Sequence, residues 1–546
     1  MGLAIAHLLD REWGSGSAYT GTATIIAGIV STLWLFLYSL QRVKKHRDEP
    51  PIIASPIPYV GHLLGMAFFG GKYIKNIGLR NRHTPIFTLP VPFSRIYIVT
   101  SPPLAAAVQR ASKTLSFSPL VPDLTRRILG FSPASTATIA HNLDPDGPAA
   151  PRGLMADLHD MVYAHLGPGD ALAALTKLAV RDLAGQVNAY AAAHDRDPEV
   201  VPDLLVWLRH FVAVSTAEYL YGPRNPLAVE AGLEEAFWDF DHGIGGLLAG
   251  VVPRVTARRA YAGRERLVAA FTEYLEGGRH LEEGASEIVR RRVEILRGYG
   301  LPMGEAARSE VSFLFAGIVN TATTAFWTVV HVFARPGLLR RVRAELMAGA
   351  VTELDFGGGK PTRLLDLEAV KAGRGSPTLG AVVREALRTG SDNYSTRLVG
   401  EDTMLAGRWW VGKGSVVQVA GGVIHEDEAI WGDSAAEFDP LRFLNGSGKG
   451  EEEKQKKVHP AAFRAFGGGK TLCPGRHFAT YEIVAFAAMI ILTFDLEAVD
   501  GKGKVGGKIV VPAKEDGVLP VHILEPKTAV KVKVRVREDG GEIVVV

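Results

Sequence analysis

The segment from Glu305 to Ala334 (EAARSEVSFLFAGIVNTATTAFWTVVHVFA) limits the possible folds more than any other part of this sequence. Arg308 and Glu310 stand near its start, and apolar or small side chains then occupy every face of a helical period. A helix without a polar face cannot lie on a surface, so this one must run through the centre of a large domain with other helices around it. At ~1.5 Å per residue it is on the order of 45 Å long. Leu204 to Tyr221, Leu267 to Leu275 and Ala285 to Leu296 supply candidate neighbours, with apolar residues at three-to-four spacing and Arg or Glu between them.

Strands are fewer. Ile86 to Leu89 and Ile96 to Thr100 are short, β-branched or aromatic, and bounded by Pro90, Pro92 and Pro102, which predicts a strand pair. Lys508 to Val546 reads as a strand-rich tail, with period-two alternation from Val530 to Val536. The fold class is therefore mainly α with a smaller β region. The charged stretch Asn445 to Lys457 reads as a solvated surface loop. No repeat and no long linker divides the chain.

Thr22 to Leu40 is apolar apart from scattered Ser, Thr and Gly, long enough with its flanks to cross a ~30 Å hydrocarbon layer. Arg42, Lys44, Lys45 and Arg47 follow it, whereas Asp10, Arg11 and Glu12 precede it, so the positive-inside rule places the bulk of the chain in the cytosol. Basic residues also stand where a signal peptide would need a small-residue cleavage site. Pro50, Pro51, Pro56 and Pro58 then enforce a stiff extended connector. The expected organisation is a short luminal N-terminus (1–21), a transmembrane anchor (22–40), a basic collar and proline connector (41–61) and a cytosolic catalytic domain (62–546).

Among 546 residues there is one cysteine, which excludes disulfide frameworks, Cys-rich zinc sites and iron–sulfur clusters built by this chain alone. The balance of 61 basic against 58 acidic side chains gives no electrostatic ground for nucleic-acid binding. That cysteine sits in Phe466-Gly467-Gly468-Gly469-Lys470-Thr471-Leu472-Cys473-Pro474-Gly475-Arg476, immediately before a helical pattern from His477 to Phe494. Consecutive glycines allow a sharp turn and a close approach to a flat ligand. The helix amino terminus favours thiolate, suited to a nucleophile or a metal ligand. A phosphate-binding loop is ruled out because Arg464 stands where that motif requires glycine.

Upstream, Glu385 and Arg388 lie one helical turn apart, and Phe438-Asp439-Pro440-Leu441-Arg442-Phe443 places a second arginine about thirty residues before the cysteine. In this order and spacing the three elements resemble the cytochrome P-450 haem-thiolate monooxygenases. The resemblance covers almost the whole chain. It implies that Cys473 is the axial ligand of haem iron, and that Glu385, Arg388 and Arg442 form a buried network holding the cysteine loop. It also implies that Phe466, Gly467, Gly469, Thr471 and Arg397 contact the cofactor. Electrons would come from NADPH through a reductase, with cytochrome b5 as a further donor. The protein would be a single-pass endoplasmic reticulum protein acting on a hydrophobic small molecule. Lys454, Lys456, Lys457, Arg464, Lys470 and Arg476 form a basic cluster suited to an acidic electron donor.

The chain departs from the family pattern in three places. Thr471 occupies the usual basic position two before the cysteine, with Lys470 adjacent, and no Trp-x-x-x-Arg haem clamp is present. In the long helix, Ala316-Gly317-Ile318-Val319-Asn320-Thr321 aligns with Ala-Gly-x-acid-Thr-Thr, so Val319 replaces the acid and Asn320 the proton-delivering threonine. Asn320 with Thr321, Phe326 and Trp327, and Lys-Thr-Leu-Cys-Pro-Gly-Arg around Cys473, resemble the branch of cholesterol 7α-hydroxylase, sterol 12α-hydroxylase and prostacyclin synthase. The glycine-rich loop points further to a fungal member of specialised metabolism. In that branch some members insert oxygen with reductase electrons and one rearranges a peroxide without them, so both reactions stay open, as does a non-catalytic haem protein. Asn320 and Thr321 are the candidate catalytic residues. Ala316, Asn320, Asn393, Tyr394 and Val518 are the candidate substrate contacts.

Overall fold

The computed structural model describes residues 16–143, 152–355, 360–444, 458–518 and 520–546. The long apolar segment forms one helix, Met303–Phe333, whose second half is almost wholly buried. Helices Asp170–Ala193, Leu204–Tyr221 and Arg476–Thr493 surround it in a four-helix core. Helix Pro377–Gly390, with Pro377 in its first turn and Ser376 Oγ accepting from Leu379 N–H, packs on the same core. Its strongly one-sided apolar face is what the sequence could show; the long helix needs none, because it meets protein all round.

A five-stranded sheet stands to one side, in the order Ile86–Val91, Ser94–Val99, Val416–Ala420, Tyr394–Val399, Leu115–Ser116. The predicted strand pair is its outer hairpin, antiparallel with Ile86 opposite Val99, and Val416–Ala420 adds to it in parallel. Strand Tyr394–Val399 starts four residues after the Glu385 helix ends and pairs Arg397 with Val417. It carries residues from the edge of the helical core into the sheet. The separate region after Thr493 pairs Phe494–Ala498 with Val532–Val536.

The tail is less strand-rich than its alternation suggests. Among its described residues only Val532–Val536 and Ile543–Val545 are strands, because Gly506, Gly507, Pro512, Gly517, Pro520 and Pro526 break the preceding stretch. That irregular segment instead folds back onto the long helix. Leu524 N–H donates to the Gly390 carbonyl at 2.9 Å, and Gly71 N–H to the Val518 carbonyl at 3.0 Å.

Among the described residues three helices have the length and hydropathy of membrane spans, but two of them, Met303–Phe333 and Arg476–Thr493, have 72% of their apolar 18-residue stretch buried in the protein. The third, Ala23–Leu40, has no buried residue, as an apolar helix surrounded by lipid would. Trp34 Nε1 at its lower end donates to the Pro56 carbonyl at 3.0 Å, so the proline connector folds back on the helix. The Asn445 to Lys457 loop, and residues before 16, lie outside the described residues.

Candidate active site

A cavity of about 500 Å³ lies between the long helix, the cysteine loop and the Tyr394 strand. Most of its lining is apolar, with Phe117, Val162, Leu166, Phe313, Ala316 and Phe478 among its walls. Cys473 is at one side, where its backbone N–H closes the loop on the Phe466 carbonyl at 3.0 Å. Gly467 (φ +75°) and Gly469 (φ +63°) adopt left-handed backbone that side-chain-bearing residues avoid. Between them Gly468 is crowded: a Cβ there would lie 2.0 Å from Gln109 Nε2 and 2.7 Å from an Arg464 guanidinium nitrogen. The three glycines therefore shape the loop. Of them only Gly467 faces the cavity, together with Phe466 and Thr471.

Burial pushes the Cys473 thiol above its ordinary value, outweighing the backbone N–H groups of Gly475 and Arg476 and the Arg476 charge, which pull it down. The helix-terminus effect expected from the sequence is present, but desolvation exceeds it. A free thiolate nucleophile is therefore disfavoured at this position, whereas a metal ion, which deprotonates a coordinating thiol outright, would suit it.

Asn320 opens into the same cavity from the long helix. Its side-chain oxygen accepts from Ile523 N–H at 2.9 Å, 203 residues away. Thr321 also lines the cavity, whereas Thr324 donates to the Asn320 carbonyl at 2.7 Å and Thr323 is fully buried. Asn393 and Tyr394 line the wall, but their polar groups are engaged: Asn393 Nδ2 donates to the Arg464 carbonyl at 2.8 Å and the Tyr394 hydroxyl to the Gly71 carbonyl at 2.7 Å. Val518 is not in the wall. It is 47% exposed and packs its backbone on Gly71; the turn beyond Pro520 brings Val521, His522 and Ile523 to the cavity instead. Leu519 lies outside the described residues.

Glu385 and Arg388 form a two-bonded ion pair at 2.7 and 2.8 Å, both fully buried. Arg442 Nε reaches the same carboxylate at 3.2 Å, and Asp439 N–H at 3.0 Å. The remaining guanidinium N–H groups bind the carbonyls of His425, Ala435, Glu437, Trp431 and Ser434. The network thus holds residues 425–442, and it reaches the cysteine loop through His425. That ring bonds the Ser391 carbonyl through Nδ1 at 3.0 Å and accepts from Arg464 N–H through Nε2 at 2.8 Å. Burial holds His425 neutral, with a pKa near 3, as an accepting Nε2 requires.

A family comparison identifies residues 295–516 as cytochrome P450. The cytochrome P450 monooxygenase nodJ of Hypoxylon pulicicidum is 33% identical over 483 residues, covering 88% of this chain and 89% of that one. The chain is a cytochrome P450. Cytochrome P450 7A1 of Sus scrofa is 25% identical over 498 residues, 88% of this chain and 92% of that one, in keeping with the cholesterol 7α-hydroxylase-like branch. The crystal structure of the cytochrome P450DA heme domain matches the fold with a TM-score of 0.65 at 16% identity, over 90% of this chain and 98% of that one. The family makes this P450 a haem-thiolate monooxygenase, with a cysteine-ligated haem and electrons from NADPH through a reductase.

The residues of this P450 fit such a cofactor. Beyond the thiol, Arg397 and Arg464 are buried cations, 6% and 1% exposed, without a carboxylate partner among the described residues. Arg397 binds only oxygens of Thr396, Gly468 and Thr471, the last at 2.6 Å, and Arg464 Nε has no partner. Burial and the neighbouring Arg397 charge pull Arg464 down to about 10. Two unneutralised guanidinium groups, Arg397 in the cavity wall and Arg464 bonded to the lining residue Ser395 at 2.9 Å, suit the carboxylates of a porphyrin.

This placement removes Arg464 from the expected basic docking cluster. Arg464 is internal, Arg476 is half-buried and donates to the Cys473 carbonyl, Lys470 is exposed, and the other three lysines lie outside the described residues. Helix Leu154–Leu166 presents His159 and Tyr163, ring centroids 4.4 Å apart, and the Tyr163 hydroxyl donates to the Leu472 carbonyl at 2.6 Å. Tyr163, His425 and Arg464 are the site residues that sequence reasoning missed. Only Arg464 carried a signal, as a cation beside the glycine loop.

Arg397→Leu is expected to speed haem loss by about 10–100-fold, the worth of a charge-assisted hydrogen bond. Transfer of haem to an acceptor apoprotein measures this, and an unchanged rate would remove Arg397 from the cofactor site.

Proposed function

We propose that this P450 is a membrane-anchored enzyme that hydroxylates or oxidises a hydrophobic specialised metabolite, with Cys473 as the axial ligand. The observation that carries the reading is one apolar cavity shared by the only thiol and the Asn320 amide. When bound, haem supplies dioxygen activation at an iron onto which the axial thiolate pushes electron density, favouring O–O cleavage. Phe466, Gly467 and Thr471 would border the ring, and Arg397 with Arg464 its carboxylates. The apolar walls exclude water and select an apolar substrate, for which a sterol, terpenoid or polyketide skeleton has the right character.

With its oxygen held by Ile523, Asn320 has its Nδ2 hydrogens left to donate to an acceptor in the cavity. Thr321 adds a hydroxyl that can order water for proton delivery. Among the described residues the cavity lining includes no carboxylate, which leaves water, the hydroxyl groups and the His522 imidazole as the available proton carriers.

The exposed Ala23–Leu40 helix and the basic residues after it support a single pass in the endoplasmic reticulum membrane, with residues 62–546 as the cytosolic catalytic domain facing the reductase and cytochrome b5. Comparing metabolites of wild-type and Cys473→Ala strains should show one oxidised compound disappear and its less oxidised precursor accumulate. Incubating the purified enzyme with an endoperoxide, with and without reductase and NADPH, tests the reaction class. Turnover without electrons would overturn the monooxygenase reading.

A further inference from the structure

Val521, His522 and Ile523 enter the cavity wall from an irregular segment, Val521–Glu525, that the long helix grips at two points. Asn320 Oδ1 accepts from Ile523 N–H at 2.9 Å, and two turns further along Trp327 Nε1 donates to the Leu524 carbonyl at 2.8 Å. Leu524 N–H is taken by the Gly390 carbonyl at the end of the Glu385 helix. From the other side, Glu525 pairs with buried Arg209 and lies 3.5 Å from His242, and His522 Nε2 lies 3.4 Å from buried Asp241. The Ile523 N–H and the Leu524 carbonyl are thus satisfied by side chains of the long helix, which hold the segment together with the Gly390, Arg209 and Asp241 contacts.

We propose that Asn320 is a positioning residue: its amide oxygen, together with the Trp327 indole, straps Val521–Glu525 against the long helix and so sets the wall opposite the haem site. The same bond orients the amide. With Oδ1 committed to Ile523, rotation of the carboxamide would bring two N–H groups face to face, so the donor side stays toward the cavity. This gives the asparagine a task that a threonine, with one shorter hydroxyl, cannot perform at the same reach. The proposal rests on the reading of the cavity given above for its chemical meaning, but its test needs no turnover.

The test is hydrogen exchange of the backbone amides of residues 521–525 in the haem-loaded, full-length protein. Asn320→Leu removes the acceptor and should speed exchange there about tenfold, the effect of one net hydrogen bond. Asn320→Asp keeps an oxygen acceptor for Ile523 and should stay within about threefold of wild type, although it lacks the amide donor. Trp327→Phe should speed exchange in the same segment and leave the Glu385 helix unchanged. Wild-type exchange in Asn320→Leu, or exchange in Asn320→Asp as fast as in Asn320→Leu, overturns the strap. Should Asn320→Leu fail to retain haem, Trp327→Phe decides: unchanged exchange at 521–525 overturns it.

Discussion

Replacing Cys473 with alanine is expected to abolish the red-shifted Soret band of the reduced carbonyl complex and to reduce product formation to background, while leaving the polypeptide folded. The two halves of this expectation rest on different physics. Removing one partly exposed sulfur atom costs about 1 kcal/mol of buried area, small against a domain's stability. The loop keeps its form because the Cys473 N–H bond to the Phe466 carbonyl and the Arg476 bond to the Cys473 carbonyl are both made by backbone atoms of this residue. The loss of function is total because no second thiol exists anywhere in the chain. Serine tests the same point at constant size. Its harder oxygen is a poor match for a site that burial has tuned against a free anion, so Cys473→Ser should also lose the red-shifted band. Circular dichroism separates this result from unfolding: a folded variant with an intact carbonyl band would remove Cys473 as the ligand.

The features legible in the sequence were those whose chemistry is local. The long helix announces itself because all its faces are apolar, and the cysteine loop because three adjacent glycines have one geometric use. Glu385 and Arg388 are three residues apart, so one helical turn brings them together wherever the helix lies. What stayed hidden depends on contacts between distant segments. Arg464 and Lys470 look alike in sequence, and only the fold buries the first and exposes the second. Ile523 meets Asn320 across 203 residues, and no periodicity marks a backbone N–H as the partner of a side chain. The contact expected at Val518 falls a few residues along the chain instead, where Val521, His522 and Ile523 line the cavity. His425 carried no pattern at all. Its role arises because the chain after the sheet returns between Ser391 and Arg464.

Glu385 carries the second large expected effect. Its carboxylate has no access to solvent and accepts from Arg388 twice, from Arg442 and from Asp439 N–H. Glu385→Ala leaves two guanidinium groups facing each other without their anion, and breaking a buried pair from one side costs about 3–5 kcal/mol. That is a large part of the stability of an ordinary domain, so the variant should accumulate mainly as haem-free or aggregated protein. Glu385→Gln keeps the shape and one acceptor oxygen but not the charge, and should retain some folded holoprotein at a lower melting temperature. Glu385→Asp keeps the charge but shortens the reach, and tests whether the two-bonded geometry matters beyond neutralisation. The damage should spread along a definite path. Arg388 holds the His425 carbonyl, the His425 ring holds Arg464 N–H, and Arg464 lies beside the cysteine loop, so loss of the anion loosens the thiolate end of the cavity before the long helix. Hydrogen exchange on Glu385→Gln should therefore rise first in 425–442 and 462–476, with Met303–Phe333 unchanged. Uniform loss of protection across all three regions would mean that the network stabilises the whole domain and not the cysteine loop in particular.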